Sequence, residues 1–84
     1  MLLEFYGTEC PHCQVMMPMV DKLIKEGIEI EKYEVWHDEK NAELMKRYDA
    51  GLCGGVPFFF NTKTKKMICG EADEKEVRKW AKDK

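Results

Sequence analysis

The apolar residues of the chain recur with the period of a helix in some segments and cluster as in buried strands in others. Leu2–Tyr6 is a short apolar run that Gly7 ends, and this pattern predicts a buried strand. A helix is predicted to follow, with Pro11 at its first position, where the missing N–H costs no hydrogen bond. Gly27 is the expected end of that helix. Its buried stripe, at i, i+3 and i+4 spacing, is predicted to consist of Val15, Met16, Met19, Val20, Leu23 and Ile24.

A strand, a helix and a hairpin are predicted in the middle of the chain. Residues 28–36 are rich in β-branched and aromatic side chains and predict a second strand. Residues 38–48 place apolar side chains on one face and predict a short second helix. After a glycine-rich loop at 51–55, Phe58–Asn61 and residues 66–69 predict two strands that a polar turn joins.

The order of these segments predicts the architecture. Asp73 followed by Glu76 is typical of a helix start, and a last helix is expected there. Its buried face is expected to contain Val77, Trp80 and Ala81. Because a helix connects the first two strands, we expect them to be parallel with a right-handed crossover, whereas the last two form an antiparallel hairpin. The sequence therefore predicts an α/β fold of order βαβαββα, with a four-stranded mixed sheet flanked by helices.

Length and charge narrow the classes of function. The 84 residues have room for one hydrophobic core, so residues 1–84 are expected to form a single domain. The formal charge of −2 provides no basic surface for nucleic acid, and no segment offers the roughly 18 apolar residues of a membrane span. The first positive charge is Lys22, which does not match a secretory signal. We therefore expect a cytoplasmic monomer that binds neither nucleic acid nor membrane.

The chemistry of the chain is concentrated in the motif Cys10-Pro11-His12-Cys13. Cysteines at this spacing form either half of a zinc site or a reversible disulfide. A closed zinc site needs two more ligands at similar spacing, and the other cysteines are far apart, whereas a strand before the motif and a helix at it are the setting of redox pairs. We therefore favour redox chemistry without a bound metal. The alternative from another class is a metal-binding or metal-delivery module that uses Cys10, Cys13 and Cys53.

The position of the motif at a helix start predicts different roles for its two thiols. Cys10 lies where backbone N–H groups are unpaired and the helix dipole favours an anion, so its thiolate is stabilised and Cys10 is the predicted nucleophile. Cys13 lies one turn further along, and it is expected to be less exposed and to resolve the mixed disulfide. No cofactor is needed, because the Cys10–Cys13 pair itself carries the electrons. Cys53 and Cys69 stand apart, and we expect two reduced structural thiols, with a regulatory disulfide as the alternative.

Several residues outside the motif also stand at characteristic places. Glu4 precedes Cys10 by six residues, and Pro18 follows it by eight. The segment Gly55-Val56-Pro57 opens the third predicted strand, and Gly70 closes the fourth. Together with the motif, these residues resemble the thioredoxin–glutaredoxin superfamily over nearly the whole chain. Glu4 and Pro18 stand as in thioredoxins, Gly55-Val56-Pro57 resembles the cis-proline loop of the family, and Gly70 matches a further family glycine. The resemblance implies a thioredoxin-like fold. It also implies a thiol–disulfide oxidoreductase of the protein disulfide reductase type, with a part in electron transport and cell redox homeostasis.

The resemblance further implies roles for residues around the motif. Glu4 is expected to be buried beneath Cys13 and to accept its proton, since burial raises the pKa of a carboxyl group toward neutrality. Pro11 and His12 are expected to modulate the pair. His12 would act through its charge or through a hydrogen bond to the thiolate of Cys10.

Gly55, Val56 and Pro57 are the residues expected to bind the substrate. The resemblance implies that the peptide bond before Pro57 is cis. A proline that opens a strand leaves the backbone of the preceding residue free, so an extended peptide can pair with it. The partners implied are disulfide-containing proteins and, as the source of electrons, an upstream reductase or glutathione.

Several positions depart from the family patterns. The central dipeptide Pro11-His12 is neither the Gly-Pro of thioredoxins nor the Pro-Tyr of glutaredoxins, and it resembles that of the periplasmic disulfide-introducing enzymes. Glu9 replaces the tryptophan that precedes the motif in thioredoxins. Gly7 and Thr8 stand where glutaredoxins have a glutathione-binding lysine, and Gly55 replaces the threonine of their proline loop. A glutathione-dependent glutaredoxin is therefore the second hypothesis, and glutathione the cofactor it would use.

Overall fold

The structure, a computed structural model, describes residues 1–82 of the chain. Its elements are β1 (Leu2–Tyr6), α1 (Pro11–Lys25), β2 (Ile30–Glu34), α2 (Glu39–Asp49), β3 (Phe58–Asn61), β4 (Met67–Cys69) and α3 (Glu74–Lys82). The strands form one sheet in the order β2-β1-β3-β4. β1 is parallel to β2, and β3 is antiparallel to both β1 and β4. The predicted α/β fold with a four-stranded mixed sheet is confirmed.

The alternation of side chains along β1 and β3 divides the core into two clusters, one on each face of the sheet. The first cluster joins α1 and α3 to the sheet and consists of Met16, Val20, Leu23, Ile30, Phe59, Val77 and Trp80. The second joins α2 to the opposite face and consists of Leu3, Phe5, Met45, Phe58 and Phe60. Glu4 lies between Leu3 and Phe5 in β1, so its side chain points to the face that α1 covers.

The buried face of α1 is narrower than the sequence predicts. Its buried residues are Cys13, Met16, Val20 and Leu23. Val15 is 65% exposed and Ile24 is 36% exposed, so the prediction that both belong to the core is wrong. Val15 lies about 200° around the helix axis from Cys13, on the side away from the sheet, and Ile24 lies at the margin of the buried face. The helix continues through Pro18 and ends before Gly27, whose φ is +101°, as predicted.

Side-chain caps set the starts of α2 and α3. Asp38 precedes α2 and accepts a hydrogen bond from the backbone N–H of Asn41 at 3.1 Å. Asp73 does the same for the N–H of Glu76 at 2.8 Å, which confirms the predicted helix start. β2 is shorter than the predicted 28–36 segment. Among residues 1–82, no helix has the length and apolar character needed to cross a membrane.

A disulfide joins Cys53 and Cys69, whose Cα atoms are 5.6 Å apart. The expectation that both would be reduced structural thiols is therefore wrong. The two residues are 16 positions apart in the chain, and they meet because the β3–β4 hairpin returns Cys69 to a place opposite Phe58, at the end of the sheet where the loop containing Cys53 arrives. Cys10 and Cys13 are free thiols.

Candidate active site

Cys10 is the N-cap residue of α1. Its backbone is extended, with φ −74° and ψ 116°, and its Sγ accepts a hydrogen bond from the backbone N–H of Cys13 at 3.3 Å. Its own N–H donates to the carbonyl of Gly7 at 3.0 Å, which fixes the turn that leads from β1 into the helix. A sulfur in this position faces the positive end of the helix dipole and accepts one of the N–H groups that the helix itself leaves unpaired.

Cys13 is fully buried in the first turn of α1. Burial raises the pKa of the Cys13 thiol to about 12, and the hydrogen bond with Cys10 and the negative charges of Cys10 and Glu4 add to this effect. Cys13 therefore holds its proton at neutral pH and is much the weaker nucleophile of the pair. It can attack a sulfur only if another group accepts the proton.

Glu4 is the buried carboxyl group on the same face of the sheet. It is 2% exposed, and burial raises its pKa from 4.5 to about 7, although Lys32 opposes the shift. Lys32 forms an ion pair with Asp21 of α1, so its charge is shared between two carboxylates. Burial is the largest cause of this shift, the charge of Lys32 lowers the pKa, and the charge of Asp21 raises it. A carboxyl group of this kind exchanges its proton near neutral pH.

The loop before β3 lies against the nucleophile. The Val56-Pro57 peptide bond is cis, and the thiol of Cys10 donates to the carbonyl of Val56 at a sulfur–oxygen distance of 3.8 Å. Pro57 is buried, and its carbonyl accepts from the N–H of Gly70 at 2.8 Å, whereas Gly55 is exposed. The structure thus brings Val56, between Gly55 and Pro57, beside Cys10, although it follows Cys10 by more than forty residues.

A pocket of about 380 Å³ is lined in part by this loop. Trp36, Met45 and Val56 are among its apolar walls. Trp36 is half exposed and lies on Gly7, where the Cβ of any other residue would overlap the indole ring. From the sequence alone, Trp36 is only the last residue of the predicted 28–36 strand. Glycine directly after β1 was the one signal of a close neighbour, and it did not identify which residue.

His12 and Pro11 are exposed at the first turn of α1. Pro11 is at the start of the helix, as predicted. His12 is 67% exposed at its side chain, and its Nδ1 lies 3.0 Å from a carboxylate oxygen of Glu71, in the connection between β4 and α3. The imidazole therefore pairs with Glu71, whereas the sulfur of Cys10 is hydrogen-bonded by the N–H of Cys13.

The carboxylate of Glu34 holds the turn between β1 and α1, just before Cys10. The carboxylate of Glu34 accepts hydrogen bonds from the backbone N–H groups of Thr8, Trp36 and His37. His37 in turn contacts Glu9 at 2.7 Å, and this hydrogen bond and the charge of Glu9 raise the pKa of His37. Glu9, Glu34 and His37 thus connect the turn before α1 to the turn after β2, and we call these three residues the brace.

The group of potential metal ligands that residues 1–82 bring together contains no cysteine. Within the described 1–82 range, one group of three potential ligands has atoms within 4.8 Å of one another, and it consists of Glu9, Glu34 and His37. These atoms are engaged in the brace. Cys53, which the metal-delivery hypothesis would add to Cys10 and Cys13, is bonded to Cys69 instead.

Comparisons with known proteins agree with this geometry. The profile of the family described as Thioredoxin matches residues 1–83. Among solved structures, a glutaredoxin from Archaeoglobus fulgidus superposes with a TM-score of 0.67 over 98% of this chain and 86% of that one, at 19% identity, and this likeness concerns the fold. Curated protein sequences give no match. With a family match over nearly its whole length and a Cys10–Cys13 pair at the start of α1, the chain belongs to the thioredoxin family of thiol–disulfide oxidoreductases.

Proposed function

We propose that this chain reduces disulfides in proteins, with Cys10 as the nucleophile and Cys13 as the resolving thiol. The observation that carries the proposal is the setting of Cys10. Its sulfur caps α1, accepts the N–H of Cys13 at 3.3 Å and lies 3.8 Å from the backbone of Val56. A cysteine sulfur at a helix terminus thus stands next to a stretch of backbone that a substrate can approach.

The reaction has two exchange steps. The thiolate of Cys10 attacks one sulfur of the substrate disulfide, and the other substrate sulfur leaves as a thiolate, so that a mixed disulfide remains. Cys13 then loses its proton and attacks the sulfur of Cys10, which releases the second substrate thiolate. Two electrons have moved to the substrate, and Cys10 and Cys13 have become a disulfide. Glu4 is the proposed acceptor of the Cys13 proton, since its pKa of about 7 permits it to be ionised beforehand.

The substrate is proposed to bind along Gly55, Val56 and Pro57, which we call the substrate edge. Among residues 1–82, no group accepts a hydrogen bond from the backbone N–H of Val56, and Gly55 is exposed. An extended peptide could pair with Val56 as an added strand and so place its disulfide above Cys10. Pro11 and His12, in the first turn of α1, are proposed to modulate the Cys10–Cys13 pair.

The remaining features of the proposal concern the setting of the enzyme. We propose a single domain that acts as a monomer in the cytoplasm and needs no cofactor beyond its cysteine pair. Its electron donor would be an upstream reductase or glutathione. The structural likeness to a protein named as a glutaredoxin supports glutathione as a second candidate. The absence of a lysine at Gly7 and Thr8 favours the reductase.

Trapping of mixed disulfides tests the assignment of roles. We expect Cys13→Ser to accumulate a mixed disulfide with a peptide disulfide substrate, and Cys10→Ser to form none. Insulin reduction by the wild type, with either glutathione or a dithiol as donor, then separates the two donor classes. Equal trapping by both variants would contradict the roles assigned to Cys10 and Cys13. Turnover with glutathione as the only effective donor would favour the hypothesis of a glutathione-dependent glutaredoxin.

A further inference from the structure

The proposed reaction leaves one chemically reactive group unused, the disulfide between Cys53 and Cys69. Cys69 is exposed and Cys53 is half-buried. A thiol in solution can therefore reach the sulfur of Cys69 without any change in the core. Thiol–disulfide exchange depends on such access.

The bond adds little constraint to the hairpin that carries Cys69. Cys69 pairs with Phe58 across the β3–β4 ladder, and the next residue, Gly70, donates its N–H to Pro57 at 2.8 Å. These backbone contacts hold Cys69 whether or not the sulfur is bonded. The segment that the bond restrains is therefore the one on its other side, around Cys53.

That segment leads directly into the substrate edge. Residues 51–56 belong to no helix or strand, and Gly51 and Gly54 have φ of +79° and +77°. The carboxylate of Asp49 accepts hydrogen bonds from the N–H groups of Cys53 and Gly54. Between Gly54 and Pro57, no hydrogen bond joins this backbone to another backbone group of the described residues, and the carbonyl of Val56 accepts only from the thiol of Cys10, at 3.8 Å. The disulfide is thus the one covalent restraint beside the residues that face Cys10.

We infer that Cys53–Cys69 is a second thiol–disulfide exchange site, which reacts with small thiols, and that its oxidised state raises the affinity of the substrate edge for a disulfide peptide. The effect on affinity rests on the proposed function, because it takes residues 55–57 as the substrate edge. The exchange at Cys69 does not depend on it.

The exchange balances with a monothiol such as glutathione. One glutathione thiolate attacks the sulfur of Cys69, and Cys53 leaves as a thiolate and takes up a proton. A second glutathione thiolate attacks the glutathione sulfur of the mixed disulfide and releases Cys69. The protein bond gains two electrons, and two glutathione molecules become one glutathione disulfide. With the bond open, residues 51–56 keep the Asp49 contacts and lose the tie to β4.

The first experiment isolates the second pair. In the Cys10→Ser/Cys13→Ser variant, glutathione redox buffers are applied and free thiols are alkylated and located by mass spectrometry. We expect Cys53 and Cys69 to become labelled together while circular dichroism still reports the folded protein. If the pair stays oxidised until the fold is lost, the bond is structural and the inference is overturned.

The second experiment measures the consequence for the substrate edge. In the same variant, a peptide with serines in place of its cysteines is titrated with the pair closed and with it opened by glutathione, using tryptophan fluorescence, because Trp36 lies in the pocket that Val56 borders. We expect the dissociation constant to rise about fivefold or more on opening, the lower end of typical coupling between sites. Equal affinities overturn the inference.

Turnover assays distinguish this inference from the proposed function. In a glutathione buffer that the first experiment shows to leave the Cys53–Cys69 pair closed, Cys53→Ser/Cys69→Ser is expected to raise KM about fivefold at unchanged kcat. Val77→Ala, which removes buried volume on the α3 side, serves as the matched control for stability alone and is expected to leave KM unchanged. If the wild type showed no turnover, the proposed function would be refuted. The glutathione titration of Cys53 and Cys69 would still test the exchange site, because it does not depend on turnover. A double variant with the KM of the wild type would refute the control of affinity.

Discussion

The carboxyl group of Glu4 should make the stability of the fold depend on pH. Burial raises its pKa from 4.5 to about 7, a shift that corresponds to about 3 kcal/mol. Because the folded state holds the proton more tightly than the unfolded chain, stability falls as the pH rises from about 4.5 through 7. The cost of ionising the buried group is complete above pH 7. Glu4→Gln removes the titration and with it this cost.

The measurement is the free energy of unfolding of wild type and Glu4→Gln, from urea denaturation at pH 4 and pH 8. We expect the variant to gain about 3 kcal/mol relative to the wild type between the two pH values. The constant cost of burying an amide cancels in this difference. Glu29→Gln is the matched control, because Glu29 is exposed and loses the same charge. A difference that does not change with pH would show that the carboxyl of Glu4 is hydrated and that the reasoning is wrong.

The same variant tests the proton transfer. If Glu4 accepts the proton of Cys13, Glu4→Gln should slow the resolution of the mixed disulfide about 100-fold at pH 8 and leave the first attack nearly unchanged. Stopped-flow kinetics separates the two steps. Equal slowing of both steps would indicate a general disturbance of the site, since Cys10 attacks before Cys13 has to lose its proton.

Three further predictions concern the cysteines and the motif. Cys10→Ser should abolish insulin reduction, whereas Cys13→Ser should retain a single attack that stalls, which mass spectrometry of the trapped species checks; release of substrate by Cys13→Ser would contradict it. Replacing Cys53 and Cys69 by serine should lower the free energy of unfolding, measured by urea denaturation, by about 3 kcal/mol. This is the loop-closure entropy that a cross-link over a loop of this length removes from the unfolded chain. An unchanged urea midpoint would contradict the presence of the disulfide. His12→Ala should shift the redox potential of the Cys10–Cys13 pair by less than about 30 mV, because the imidazole is 67% exposed and hydrogen-bonded to the carboxylate of Glu71. Equilibration with glutathione buffers measures this potential. A larger shift would mean that His12 acts on the sulfur of Cys10 directly.

Much of the fold follows from local patterns. Three such patterns are the apolar run of β1, Pro11 at the start of α1 and Gly27 at its end. Each depends only on residues close in the chain, so it can be predicted from the sequence. The same holds for Cys10 as a helix cap, because a CxxC motif after a strand and at a proline specifies the first turn. The burial of Glu4 was reached through the resemblance to thioredoxins, and the structure agrees with it.

The contacts across the chain could not be found in this way. Val15 fits a helical stripe, yet it is exposed, because the sheet covers only the side of α1 that carries Cys13. His12 meets Glu71, and Trp36 covers Gly7, through neighbouring loops at one end of the sheet. Each of these contacts depends on the register of the strands and on the path of a connecting loop. Neither the register nor the loop path produces a periodic pattern in the sequence.

The Cys53–Cys69 bond shows the difference most clearly. Two cysteines 16 residues apart satisfy no spacing rule, and both outcomes, free thiols or a disulfide, are compatible with the sequence. Their Cα atoms lie 5.6 Å apart because the β3–β4 hairpin folds back and the glycine-rich loop turns toward its end. A disulfide forms only where two Cβ atoms come within about 4.5 Å, and that distance is a property of the packed sheet and its loops, not of the residues taken in order.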